Sequence, residues 1–481
     1  MTTAADIAAF VADVTYDDLS AAVADAAERR LFDALAVAHV DSDAADAAAD
    51  VAAVEGGDAC TCWAASTRAG PAAATLHNAA RVRGSGAADA FLAPDGPSHP
   101  SDAVPAVVAA AEAADADGET LVAALAATYE VHGELAWHVP VREHGWGPAI
   151  HTLVAAAAGA ARARSLDAAA TRDAIALAVA NGASLGSGID DTDDDFAGPL
   201  AARAGVTAAS LAAAGVAGPA DPFVDHPVLG VLAATDDADG DDATDAATDD
   251  GTDEEREGAA CEFGEDTNSI EAHAAEGGFA LDSACERVHD VAARRVLGPF
   301  AVQAAVAAAA DLGARAALDP DTVEQVVVRT FDPLTLPAPT DDPTPDTVVE
   351  AARSLPYSVA AALVGGPTDL ADTLGDEAVR RLAATVAVEE APGLTAQFEA
   401  GLLPAVIDVE RTDGSVHHAE VGAYPGHPTQ PMDWATLEAK AGRLLPAERV
   451  ETIRAACQRA DEATRVADVL AVLEASPERN L

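Results

Sequence analysis

The sequence predicts a mainly α protein, an all-α helical-bundle domain joined to a smaller α+β lid domain. Three observations lead there. Apolar residues recur at helical spacing through most of the first half, a β-branched, proline-bounded texture follows residue 287, and a helical texture returns after residue 434. The implied organisation is residues 1–234 as the first segment of the all-α domain, 235–283 as an acidic insertion, 284–427 as the lid, and 428–481 as helices that rejoin the bundle.

In residues 17–39, Val23, Ala27, Leu31, Leu35 and Ala38 share one face, with Glu28 and Arg29 opposite. A second helix is expected over 71–83, after the Gly56-Gly57 break. Residues 104–114, 120–137, 149–163 and 167–180 read as helices, several of them apolar on every side, which places them at the centre of a bundle where alanine lets axes approach closely. Residues 181–188 make a Gly/Ser turn, the acidic run 190–195 is either a solvated loop or a cation site, and a helix over 199–214 stops at Gly215 and the Gly218-Pro219 breaker. Residues 235–257 hold little but Asp, Thr, Ala, Gly and Glu, too like-charged to bury a core, so disorder is expected. The lid then reads as a helix over 300–317, a strand over 323–331, a helix over 357–364, and a hairpin in which 404–410 and 415–423 flank Thr412-Asp413-Gly414. Residues 434–473 form the helical tail.

The chain has 481 residues, of which 81 are acidic and 27 basic, a formal net charge of -54. Ordinary ionic strength screens such self-repulsion only in part, so a very salty solvent is expected. A single lysine, Lys440, and a core of Ala and Val fit a halophile-like composition. The same field repels nucleic acid and anionic membrane, and it requires any anionic substrate to find local arginines. Five scattered cysteines, Cys60, Cys62, Cys261, Cys285 and Cys457, imply no disulfide framework and a reducing cytoplasm. The first ten residues lack a basic region, and no apolar run reaches the roughly 18 residues of a membrane span, so the expectation is a soluble, unexported protein. Cys261 and His273 lack ligand spacing, so no metal is expected.

Polar aromatics and imidazoles gather between residues 89 and 161. Asp89, His99, Ser101 and Asp102 sit just before a helix start, where proton carriers would lie beside backbone N–H groups able to receive an anion. Ser101 and Asp102 before an apolar run are also what an ordinary helix N-cap looks like, with Pro105 tolerated in the first turn. His132, His138, His144 and His151 lie on or between the following helices. Isolated His39, His226, His289, His417 and His418 read as ordinary surface or core residues.

The order of these pieces resembles the MmgE/PrpD family, which includes 2-methylcitrate dehydratase and cis-aconitate decarboxylase. The matches are Arg30-Leu-Phe-Asp-Ala-Leu-Ala36, Asp89 with His99-Pro-Ser-Asp102, Gly145-Trp146, Leu355-Pro-Tyr357, and Tyr424-Pro-Gly-His427-Pro with Pro431-Met432 and Lys440. The resemblance implies a cleft between the all-α domain and the lid, a homodimer, no metal or other cofactor, and a small tricarboxylic acid as substrate. Carried over by position, His99 is a catalytic imidazole, Asp89 its acidic neighbour and Tyr357 a lid residue facing the site, whereas His427 is structural. The chain departs from the family where a His is replaced by Gly147-Pro148, a Lys by Gly198 and a lid His by Ala301.

Dehydrating a β-hydroxy acid needs a base for the carbon-bound proton, an acid for the departing hydroxyl and cations for the carboxylates. The first reading is therefore a cofactor-independent lyase with His99 and either His144 or His151 as proton carriers, Ser101 at the site, and Arg81, Arg83, Arg142 or Arg203 holding carboxylates. The three departures motivate a second reading, a catalytically silent relative acting as a binding or partner subunit. An iron–sulfur dehydratase would need three or four converging cysteines, which a C-x-C pair and three distant ones do not supply.

Overall fold

The computed structural model describes residues 2–182, 196–224, 226–233, 279–316, 318–332, 336, 338–365 and 370–474. The acidic run 190–195, the stretch 235–257, Cys261 and His273 lie outside the described residues.

The body is built from helices α1 (Ala4–Asp13), α2 (Ala21–Val37), α3 (Asp43–Glu55), α4 (Pro71–Gly84), α5 (Val104–Ala113), α6 (Gly118–His138), α7 (Ala149–Ala163), α8 (Ala168–Asn181) and α9 (Ala197–Ala213). Every residue of α7 except Arg162 is buried. Small residues make this possible: a Cβ added at Gly159 would lie 1.9 Å from the Thr128 hydroxyl of α6, and one at Gly205 would lie 2.7 Å from the Ala157 nitrogen. The helix expected over 17–39 begins later, because Ser20 accepts a hydrogen bond from the Val23 N–H and Tyr16–Asp18 forms a separate turn. Helices α1 and α3 were not anticipated from the pattern; their apolar stripes are mostly alanine and carry little contrast.

Two small hairpins interrupt the helices. Strands β1 (Cys60–Thr61) and β2 (Arg68–Ala69) pair antiparallel, as do β3 (Phe91–Ala93) and β4 (Gly96–Ser98). The residues 89–102 expected to be a plain loop thus contain a hairpin, which turns at Gly96 with φ 109°. The expected N-cap does not form: Ser101 and Asp102 belong to a short 3-10 turn, and α5 starts from Ala103 without a side-chain cap.

The tail comprises helices Trp434–Ala441, Ala447–Cys457 and Val466–Glu474, whose apolar residues share one core with α2, α5 and α6. Trp434 packs its ring 5.7 Å from that of Phe32 and donates to Asp25 at 2.7 Å.

A second core lies in the α+β module. Strands β5 (Val323–Thr330), β6 (Val386–Glu390), β7 (Ala405–Arg411) and β8 (Val416–Val421) form one sheet in the order β6-β5-β7-β8. The β5–β6 pair is parallel and the others are antiparallel, with β7 and β8 joined around Gly414 at φ 79°. Helices Phe300–Ala316 and Leu355–Gly365 supply most of the apolar side chains facing that sheet. The mainly α architecture with a smaller α+β module is therefore the observed fold.

Body and module meet along a main-chain seam. Ala90 and Ala292 exchange both backbone hydrogen bonds, at 2.8 and 2.9 Å, and the Ala293 N–H donates to the Gly426 carbonyl at 2.7 Å. Gly426 has φ 123°, and a Cβ there would lie 2.2 Å from the Ala293 carbonyl oxygen, so both conformation and space require glycine.

Candidate active site at the seam

The β3–β4 hairpin and the seam bring the chemistry-bearing loop to the edge of the body. Asp89, buried, anchors it: its carboxylate accepts from the Ser101 N–H at 3.1 Å and the Tyr129 hydroxyl at 2.9 Å, with Arg30 at 3.9 Å. Burial pushes the Asp89 carboxyl up, against the opposing pull of Arg30 and the two donors. Behind it, Lys440 from the tail holds Asp33 at 2.7 Å and donates to the Ala87 carbonyl at 3.0 Å. Arg30, Lys440, Asp33 and Asp89 thus form a buried group of two cations and two anions that fixes residues 87–89 from behind.

His99 sits half-buried in front of this anchor. Its Nδ1 lies 2.6 Å from the Asp89 carbonyl oxygen. A carbonyl only accepts, so Nδ1 carries the proton and Nε2 presents a lone pair. Burial, then the guanidinium charges of Arg83 and Arg294, hold the imidazole well below its ordinary range, with His132 adding to the effect. His99 is therefore neutral near pH 7, with Nε2 free of a proton. Its ring stacks on Phe300, the first residue of the Phe300–Ala316 helix, at 6.5 Å and 24°. The opposing module thus touches the imidazole directly.

Arg294 completes this face. Its guanidinium lies 4.4 Å over the Phe300 ring, and among the described residues no hydrogen-bond or ion-pair partner holds it. Burial and the nearby charge of Arg83 lower it to about 10, still cationic at neutral pH. The buried hydroxyl of Tyr424, without a hydrogen-bond partner among the described residues, lies close enough to feel the Arg294 charge, though burial keeps it protonated.

Behind His99, the Ser98 hydroxyl lies between two buried imidazoles, 2.8 Å from His132 Nε2 and 3.0 Å from His151 Nδ1. His151 Nε2 is 3.0 Å from the Val139 carbonyl oxygen. Burial holds both rings below the usual range, His151 at about 4.

The residues named from sequence divide accordingly. Asp89, His99, Ser101 and Arg83 converge, and His151 joins them through Ser98. Arg83 pairs with Asp102 at 3.2 Å, and a Cβ at Gly198 would lie 2.0 Å from that carboxylate, so the Asp102 side chain fills the space beside Gly198. Arg142 acts structurally, donating to the Asp95 and Pro97 carbonyls at 2.6 and 3.2 Å and so clamping the β3–β4 turn. Arg81 is spent on the Ala38 carbonyl and Asp41, and Arg203 on a surface pair with Glu55 at 2.8 Å. His144 is exposed at the end of the short Arg142–His144 turn. Tyr357 faces the interior of the second core instead of the seam, donating to the Thr373 carbonyl at 2.5 Å, because the helix that carries it is buried on nearly every side. His427 bonds Thr429 within its own turn and reaches the Gly401 carbonyl, 26 residues earlier in the chain, at 2.9 Å.

Sequence reasoning missed Arg294, Phe300, Tyr424 and the bridging role of Ser98. Arg294 had one available signal, being one of two adjacent arginines in a chain poor in basic residues; Phe300 and Tyr424 reach the site only through the Ala90–Ala292 seam, and Ser98 is the residue next to His99.

Two buried cores thus meet at a seam that holds a neutral imidazole beside guanidinium groups. Residues 5–239 match the MmgE/PrpD N-terminal domain and residues 299–462 the MmgE/PrpD C-terminal domain. The chain belongs to the MmgE/PrpD family, whose activities are of the lyase, or dehydratase, kind. No curated protein matches it. Among the described residues, no helix is long and apolar enough to cross a membrane.

Proposed function

We propose that this protein is a lyase that dehydrates a small tricarboxylic acid such as 2-methylcitrate, with Nε2 of His99 taking the carbon-bound proton. The observation that carries the reading is the neutral His99 imidazole flanked by the cationic Arg83 and by Arg294, which no hydrogen-bond or ion-pair partner holds among the described residues. Guanidinium groups meet carboxylates through paired hydrogen bonds and neutralise them, which makes an adjacent carbon-bound proton easier to remove. Neither arginine moves protons, since such groups stay charged near neutrality. The same reading makes the protein cytoplasmic and a homodimer, and decarboxylation of a related acid uses the same anchoring.

The test is turnover of 2-methylcitrate, citrate and cis-aconitate by the purified protein, followed by ultraviolet absorbance over a series of KCl concentrations. Turnover that falls about 10²- to 10⁴-fold in His99→Ala is expected for loss of a positioned base. Arg294→Ala should raise KM more than it lowers kcat. Absence of turnover with every acid and salt concentration would favour the silent-relative reading, which Gly147, Gly198 and Ala301 motivate.

A further inference from the structure

Buried donors without an acceptor gather near Asp89. Arg30 of α2 reaches the Asp89 carboxylate only at 3.9 Å, beyond hydrogen-bonding distance, so its charge is used there while its buried Nε and Nη1 find no partner among the described residues. The hydroxyl of Tyr424 and the Nε of Arg294 are likewise buried and without a hydrogen-bond partner among the described residues. These groups come from three distant stretches of the chain, and the seam draws them together. Asp89 and Arg294 each lie within two residues of the Ala90–Ala292 bonds, and Arg294 and Tyr424 each lie within two residues of the bond from Ala293 to Gly426. Tyr424 shares an apolar cluster with Ala90 and Phe300, the ring over which Arg294 lies at 4.4 Å. The charges of Arg294 and Arg30 both act on the Tyr424 hydroxyl, yet burial outweighs them and keeps it protonated.

A buried donor left unpaired costs stability, and native proteins retain few of them. Two guanidinium groups and a protonated phenol call for a ligand that brings acceptors and negative charge, which excludes an amine or a metal cation. A carboxylate supplies both, since its two oxygens only accept and match the paired N–H groups of a guanidinium. We propose that Arg30, Arg294 and the Tyr424 hydroxyl form a subsite for one carboxylate of the ligand that His99 faces. Arg83 is already shared with Asp102 at 3.2 Å, so Arg294 and Arg30 supply most of the positive charge left for an anion. Tyr424 adds a neutral donor whose hydrogen the two cations turn away from themselves and toward negative charge. Arg30 and Tyr424 touch the carboxylate directly and set which acids bind. That this carboxylate belongs to a tricarboxylic substrate rests on the lyase reading; the subsite itself does not.

The test is calorimetric binding of tricarballylate, a tricarboxylate with no hydroxyl to lose, to the full chain in multimolar KCl, comparing wild type with Tyr424→Phe and Arg30→Lys. Tyr424→Phe removes one oxygen that no protein group holds, so its thermal midpoint should equal or exceed that of wild type while affinity falls about tenfold, as for a lost hydrogen bond to a charged group. Arg30→Lys keeps a charge beside Asp89 but gives up the planar pair of donors, and should stay folded and weaken binding by about as much. Wild-type affinity in either variant, or no binding by wild type, overturns the subsite. A thermal midpoint several degrees lower in Tyr424→Phe with affinity unchanged does so too, by assigning the hydroxyl to the scaffold. Turnover of a hydroxy acid beside variant-independent binding leaves the lyase reading standing and the subsite refuted. Variant-dependent binding in a protein that turns over no acid supports the subsite and retires the lyase reading.

Discussion

Replacing Gly198 by alanine probes the space beside the Arg83–Asp102 pair. The added methyl carbon would lie 2.0 Å from Asp102 Oδ2, 2.6 Å from its Cγ and 3.1 Å from its Cβ, so rotating the carboxylate alone cannot clear it. Asp102 must swing away from Arg83, its partner at 3.2 Å, while remaining in a buried setting. Overpacking costs about 1–3 kcal/mol, and weakening a mostly buried pair adds to that. Against it stands a helix-propensity gain of up to about 1 kcal/mol for replacing glycine, smaller here because position 198 is in the first turn of α9. The net expectation is a loss of roughly 2–4 kcal/mol by urea denaturation at pH 7. In an Asp102→Ala background the same change should be neutral or slightly stabilising. Equal costs in the two backgrounds would refute the assignment of that space to Asp102.

Four further outcomes follow from the same geometry. Lys440→Met strands the buried Asp33 carboxylate and should cost about 3–5 kcal/mol by denaturant titration, with much of the loss recovered in Lys440→Met/Asp33→Leu. His151 is held at about 4 against an unfolded value of 6.5, so its contribution to stability is present above about pH 6.5 and is lost as pH falls toward 4. Wild type should therefore lose roughly 3 kcal/mol more than His151→Gln across that window in urea titrations. Arg203→Ala should leave turnover unchanged and shift stability by less than about 1 kcal/mol, and Tyr357→Phe should cost about 1 kcal/mol without changing KM.

The helices of the body were legible because burial demands a long apolar face, and α4, α5, α6, α7, α8 and α9 each carry one. The hairpin at Thr412-Asp413-Gly414 was legible for a local reason, since the turn dictates its own residues. Strand β6 was not, as Val-Ala-Val-Glu-Glu is short, half exposed, and finds its parallel partner β5 only through an intervening helical segment. The β3–β4 hairpin was hidden by prolines at 94 and 97, which read as loop although two-stranded pairing tolerates them at an edge. At the site, His99 and Asp89 are near in sequence and could be paired on paper. Arg294 lies almost two hundred residues further on, and its approach depends on backbone bonding that leaves no side-chain signature. Arg203 and Tyr357 misled because residue type was right while helix facing was not.

The seam between Ala90, Ala292, Ala293 and Gly426 is made of amide-to-carbonyl contacts between residues with little or no side chain. Mobile ions that weaken attraction between charged side chains leave such dipolar contacts nearly untouched. The spacing of guanidinium and imidazole across it is consequently insulated from changes in ionic strength, and substitutions elsewhere on the acidic surface can retune solubility without disturbing that spacing.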